Sequence, residues 1–219
     1  MKRIGFLHEQ IVSEENCRLA IINAAKHKKK RRNVQKVMDN LDFYAKDLSE
    51  RLVRLDFTSP YRTRIIKDGL SGKERELQIP AFYPDQCAHH AIVQVLQPLI
   101  MKSSYYWSCA NIPNRGIDRA AKGVERATMR DIKHAKYCVK MDIHKFYPSI
   151  PHDKLKEHLQ RKIKDKKALG IIHLVIDSYH SSPGHGIPIG NYTSPWLAEF
   201  YLPVSYTHLR AHETVLDLV

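Results

Sequence analysis

The spacing of apolar residues changes along this chain, and that change constrains the fold more than any single motif. From Val34 to Leu55 the positions Val34, Val37, Leu41, Tyr44, Leu48, Leu52 and Leu55 step by three and four, the repeat of one helical face. From Tyr137 to Ile143 the step is two: Tyr137, Val139 and Met141 share one face and Asp142 takes the other, as in a strand ending in a carboxylate. Between them, Arg62-Thr63-Arg64-Ile65-Ile66-Lys67 and Arg75-Glu76-Leu77-Gln78-Ile79 flank a Gly- and Asp-rich turn. This predicts a hairpin over 61–80 with basic residues near its tip. Further helices are expected after Pro84-Asp85, over 117–130, from Pro151 through Leu159, over 168–179 and over 194–202.

The chain has 219 residues, 43% of them hydrophobic, enough to bury a sizeable core and to exclude global disorder. Lys and Arg number 36 against 23 Asp and Glu, a net charge of +13 that points to a polyanionic partner. The four cysteines Cys17, Cys87, Cys109 and Cys138 form no C-x-x-C pair and follow no signal peptide, so a disulfide framework or zinc knuckle is unsupported and a cytoplasmic location is expected. No apolar run approaches the roughly 20 residues of a membrane span.

Several features keep two readings at this level. Lys26-His27-Lys28-Lys29-Lys30-Arg31-Arg32 is either a solvated connector or a phosphate-binding run. His89-His90 reads as packing or surface, since no metal ligand lies at i+4. Asp142 could anchor a hard cation such as Mg²⁺ or sit on the surface, and the glycines from Gly184 to Gly190 allow close approach to a ligand or merely a turn.

Order and spacing add a resemblance. A basic hairpin is followed by Asp142-x-x-x-Phe146-Tyr147-Pro148-Ser149-Ile150. Then comes Gly186-x-Pro188-x-Gly190-x-x-x-Ser194-Pro195-x-x-Ala198-x-x-Tyr201-Leu202, eight fixed positions over seventeen residues. Together, from about Ile4 to Leu202, these resemble the reverse transcriptase family, in particular its bacterial branch of group II intron, retron and diversity-generating retroelement enzymes.

The resemblance implies an α+β fold: a helical N-terminal extension over 1–60, fingers over 61–135 and part of a right-hand palm over 136–203. It implies RNA-templated DNA synthesis, with an RNA template, a DNA primer and a deoxynucleotide as partners and two Mg²⁺ ions as cofactors. A structured retroelement RNA or an accessory protein are further partners it admits. Asp142 matches the first catalytic, metal-binding carboxylate, and the Ile143 carbonyl helps hold one ion. Tyr147 matches the aromatic gate beneath the incoming sugar. Lys67, Lys73 and Arg75 match the basic grip on the triphosphate, Arg75 foremost, its planar fork suited to phosphate oxygens. Gly186, Pro188, Ile189, Gly190 and Ser194 match the loop and helix start beneath the nascent base pair and template. Arg115 matches a contact to template or primer, and Gln86 stands where many relatives carry arginine. Ile189 replaces the Gln common in intron enzymes, a change shared with diversity-generating enzymes, whereas Pro195 follows the intron pattern.

A complete enzyme of this family also has a Tyr/Phe-x-Asp-Asp pair, and none follows Leu202. Residues 204–214 read like one frame of a sequencing-library adapter, so 204–219 is expected to be a non-native tail on a truncated fragment, and His208 and His212 are not expected to bind metal. The polypeptide as written is therefore expected to be inactive. The alternatives are a non-catalytic nucleic-acid-binding relative and a defence-associated polymerase that needs no template.

Overall fold

The computed structural model describes residues 3–67, 72, 74–130, 132 and 140–202. Four helices open the chain: α1 (Leu7–Val12), α2 (Glu14–Ala24), α3 (Arg32–Asp39) and α4 (Leu41–Arg54). An antiparallel hairpin follows, β1 (Arg62–Lys67) and β2 (Glu74–Ile79), paired from Arg62 opposite Ile79 to Lys67 opposite Glu74. A wide turn at Phe82–Gln86 leads into α5 (Cys87–Ser103). Then come α6 (Ile117–Arg130), α7 (Phe146–Ser149), α8 (His152–Lys162), α9 (Lys166–Asp177) and a helix over 194–202, here α10. Mixed helices with a small sheet make this an α+β fold. Among the described residues no helix is long and apolar enough to cross a membrane.

One buried cluster runs from α1 to α10. Cys17, Ala20, Ile21 and Ala24 of α2 recur at three and four residues and meet Ala88, Ala91, Ile92 and Leu96 of α5, with Leu48 and Leu52 of α4 in the same core. Small residues on α2 let the two helices approach closely. Leu155 and Leu159 of α8, Ile172 and Ile176 of α9, and Trp196, Leu197 and Phe200 of α10 continue that core. Each fully buried Ile or Leu contributes roughly 1.5–3 kcal/mol.

The helix ends are tied by polar groups the sequence supplies. Ser13 caps α2 by accepting from Asn16 N at 3.2 Å. The Asp165 carboxylate caps α9 at Ala168 N (3.2 Å) and also accepts from Leu7 N and His8 N, both at 2.9 Å, joining the starts of α1 and α9. Burial alone would raise the Asp165 pKa, but these backbone N–H groups outweigh it and hold the carboxyl below its usual range. Ile4 adds a parallel bridge to Ile163 at the end of α8.

Two expectations from periodicity need correction. The single helix predicted over 34–55 is broken in two at Asn40, which leaves helical geometry (φ −125°, ψ 45°); asparagine readily trades helix for local alternatives. Leu55 is not on the buried stripe. It takes a left-handed conformation (φ 59°) that ends α4 and leaves its side chain exposed. Residues 140–143 of the strand predicted over 137–143 have no regular structure, and 137–139 lie outside the described residues.

Candidate active site

The loop between α9 and α10 is folded tightly on itself and stitched to the α7–α8 junction. Ser181 N donates to His185 O at 2.9 Å and His185 N to Ser182 O at 3.0 Å, closing a turn in which Gly184 has φ 71°. Gly186 has φ 99°, and a Cβ there would run into the Ser181 hydroxyl, so glycine is required. Its N–H donates to Ile150 O at 2.8 Å, and Ile187 N donates to Tyr147 O at 3.0 Å. His152, at the first turn of α8, holds the same loop through its backbone N–H to Gly184 O (2.9 Å) and its Nε2–H to Gly186 O (2.6 Å).

The loop's far end meets the hairpin. Gln78 N of β2 donates to Ile189 O at 2.8 Å, and Gly190, at φ 113°, lies so close that an added Cβ would stand 3.0 Å from Gln78 O. Asn191 Nδ2 then donates to the Tyr61 hydroxyl at 2.8 Å, which lies 2.7 Å from Ser178 Oγ. Segments more than 100 positions apart in sequence thus share one wall.

Against this wall opens a cleft of about 420 Å³ lined by Lys28, Gln86, His90, Tyr147, Ile189, Gly190, Asn191, Tyr192, Ser194 and Pro195. Tyr147 is half-buried, and burial, then the nearby Glu199, push its phenol pKa up, so the ring presents a neutral hydroxyl. Glu199 is itself buried and accepts from Ser108 Oγ at 2.8 Å. Lys28 donates from Nζ to Gln86 Oε1 at 2.7 Å, and burial, then Arg31, lower its pKa. His90 stacks on Tyr192 with centroids 3.8 Å apart and planes 8° from parallel. Burial, then Lys28 and Lys26, bring the His90 pKa down to about 4, leaving a neutral imidazole at neutral pH. Ser194 Oγ and Asn191 Oδ1 are buried without a hydrogen-bond partner among the described residues. An amine, unsatisfied polar atoms and aromatic faces in one opening suit a ligand with phosphate, sugar and base.

Of the residues singled out from sequence, Tyr147, Ile189, Gly190 and Ser194 come together in this cleft, with Gly186 and Pro188 buried in the loop behind it. Asp142 and Ile143 are exposed just before Lys145, whose left-handed turn (φ 47°) starts α7, and neither lines the cleft. The hairpin register sets Lys67, opposite Glu74, and Arg75, opposite Ile66, on opposite faces. Lys67 pairs with Glu74 at 3.4 Å. Lys73 lies outside the described residues. Arg115 donates to Tyr105 O at 3.1 Å. Lys28, Asn191 and Tyr192 were not assigned to the site from sequence, and His90 was read there as packing or surface; the basic run from Lys26 was the advance sign of Lys28.

Among the described residues no group of three His, Cys, Asp or Glu side chains is placed to hold a metal. Asp142 alone cannot balance two divalent ions against their mutual repulsion, so these residues do not fit a two-ion centre.

The family described as Reverse transcriptase (RNA-dependent DNA polymerase) matches residues 67–216, more than half of the chain. Members of this family generally use divalent metal ions. A relative in Schizosaccharomyces pombe, an uncharacterized 91 kDa protein in a cob intron, is 26% identical over 176 residues, covering 75% of this chain and 21% of that protein. The chain therefore spans about a fifth of the relative it matches. With the family's loop and aromatic residues converging on one cleft and the match running through both, this chain belongs to the reverse transcriptase family.

Proposed function

We propose that this chain carries the nucleotide-binding part of an RNA-templated DNA polymerase of the bacterial retroelement type, with fingers over 61–135 and a partial palm over 136–203. The observation that carries this is the meeting of Tyr147 from α7, Ile189 and Gly190 from the loop, and Ser194 from α10 in a cleft that also holds a lysine. In this reading the Tyr147 ring lies under the incoming sugar and rejects a 2′-hydroxyl by its bulk. Glycine at 190 lets the backbone approach the nucleotide, and Ile189 lies beneath the nascent pair. Ser194 and Arg115 face the nucleic acid.

Lys28 supplies a positive group beside Gln86, where relatives commonly have arginine, and so replaces the missing charge from another part of the chain. Arg75 draws the triphosphate toward the hairpin, and Lys73 belongs to the same basic tip; Lys67, on the opposite face and paired with Glu74, is left out of this grip. Asp142 and the Ile143 carbonyl are the family's expected metal contacts, and further ligands have to come from outside the described residues. The 219-residue polypeptide by itself is expected to bind nucleotide without extending a primer.

Equilibrium binding tests this directly. A labelled deoxynucleoside triphosphate should bind saturably and better than its ribonucleotide counterpart, and Tyr147→Ala should erase that preference. Equal binding of both by the unaltered chain, or no saturable binding, would overturn the assignment of the cleft.

A further inference from the structure

We propose that the buried pair of Ser108 and Glu199 is a positioning device for the Tyr147 ring: it braces the ring from behind the cleft and so sets how strongly the site prefers a deoxyribose to a ribose. The inference deepens the nucleotide-binding reading and rests on it for the identity of the ligand. The brace itself stands on contacts that need no nucleotide.

Glu199 lies on α10 and is 2% exposed. A carboxylate shut away from water ordinarily has a cation beside it, because burying an uncompensated charge is costly. Among the described residues no Lys or Arg pairs with Glu199. It accepts instead from the Ser108 hydroxyl at 2.8 Å, and Ser108 is itself buried. Ser108 arrives from the connection between α5 and α6, 91 positions away in sequence. That connection is fixed where it delivers the hydroxyl: the Tyr105 carbonyl accepts from Ser108 N at 3.0 Å and from Arg115 Nη1 at 3.1 Å, closing a turn around the serine. An apolar side chain at 199 would join the core of Trp196, Leu197 and Phe200 with no charge to bury, so the carboxylate needs a reason beyond packing.

Its place on the helix supplies that reason. Pro195 and Tyr147 line the cleft together. Glu199 follows Pro195 by four residues, so it shares that face of α10 one turn deeper, and a helical side chain leans back toward the N-terminus, here toward the cleft. Tyr147 is half-buried and packs against the core to which α10 belongs. Its carbonyl accepts from Ile187 N at 3.0 Å, and Phe146 meets its ring near edge to face at 5.7 Å. Glu199 is close enough to be felt at the phenol, whose pKa burial and then this carboxylate push up. A ring that rejects a 2′-hydroxyl by bulk does so only while it keeps its place, since displacements of about 1 Å are worth large factors at such a site. Taking away the group behind the ring gives it room to retreat from the extra oxygen.

Tyrosine NMR and nucleotide binding, both on the whole chain, test the brace together. With isotope-labelled tyrosine and the Tyr147 signals assigned from a Tyr147→Phe sample, Glu199→Gln should make the Tyr147 phenol titrate at lower pH, because a negative charge near it has gone. Ser108→Ala should shift the Tyr147 ring signals with no nucleotide present. In equilibrium binding, Glu199→Ala and Ser108→Ala should shrink the preference for dATP over ATP by about threefold or more, chiefly through tighter ATP binding. Glu199→Gln keeps the shape and can still accept from Ser108, so it should retain most of that preference. A pair that merely staples the loop to α10 would lower Tm in both truncated variants and leave the preference and the Tyr147 signals as they were, which would overturn the proposal. Equal losses of dATP and ATP would overturn it as well. Should Glu199→Ala fail to fold, Ser108→Ala and Glu199→Gln carry both readouts. Tyr147 signals that respond while the unaltered chain shows no preference for dATP would reject the nucleotide reading of the cleft and leave the brace standing.

Discussion

His152 grips Gly186: its buried ring donates from Nε2 to the Gly186 carbonyl at 2.6 Å. That contact fastens the loop behind the Tyr147 cleft to the start of α8. Removing it leaves a buried carbonyl unpaired, so His152→Ala is expected to cost about 1–3 kcal/mol in denaturant unfolding. Amide exchange at Gly186 and Ile187 should speed up more than in α2. A loss spread evenly over the protein would argue against a local role.

Gly190 is the second fastening. With φ 113° and Gln78 O only 3.0 Å from where a Cβ would go, Gly190→Ala is strained twice over. We expect a loss of about 1–3 kcal/mol and weaker triphosphate binding from the same variant. A Tm equal to that of the unaltered protein would show that the loop yields at no cost.

Lys28 is expected to act on affinity and not on folding. Lys28→Gln keeps a polar partner for Gln86 and removes the charge. Triphosphate affinity should fall several-fold, by about 1 kcal/mol, with Tm changed by no more than a degree or two. Equal affinities at low and high salt for the two proteins would remove Lys28 from the site.

Acid should destabilise the fold well before carboxylates titrate. Burial, then His90, bring the His89 pKa down to about 3, and His90 itself falls to about 4. In the unfolded chain both return to about 6.5. Between those values the unfolded chain holds more protons, so stability is complete above pH 6.5 and declines as the pH drops toward 4, by up to about 1.4 kcal/mol per pH unit for each imidazole. Thermal unfolding from pH 7 to pH 4.5 should show this decline, and His89→Leu should flatten it. An unaltered slope in that variant would assign the effect elsewhere.

The hairpin over 61–80 and most helices could be read directly from periodicity, because those signals depend on neighbours in sequence. The break at Asn40 could not: the apolar steps run straight through it, and only the asparagine's own geometry interrupts the helix. The site divides in the same way. Tyr147, Ile189, Gly190 and Ser194 sit in spaced motifs and were visible. Lys28 meets Gln86 58 positions away, and His90 meets Tyr192 across an even longer separation, contacts that only packing creates. The two faces of the hairpin were hidden for another reason. Lys67 and Arg75 look like neighbours in a basic cluster until the register sets them apart.

The bonds from Gln78 to Ile189 and from Asn191 to Tyr61 make the root of the hairpin and the floor of the cleft one mechanical piece. Any swing of the hairpin must pivot outward of Gln78, toward the tip. A tug on that tip is felt first as tension on the backbone at Ile189, in the wall of the Tyr147 cleft.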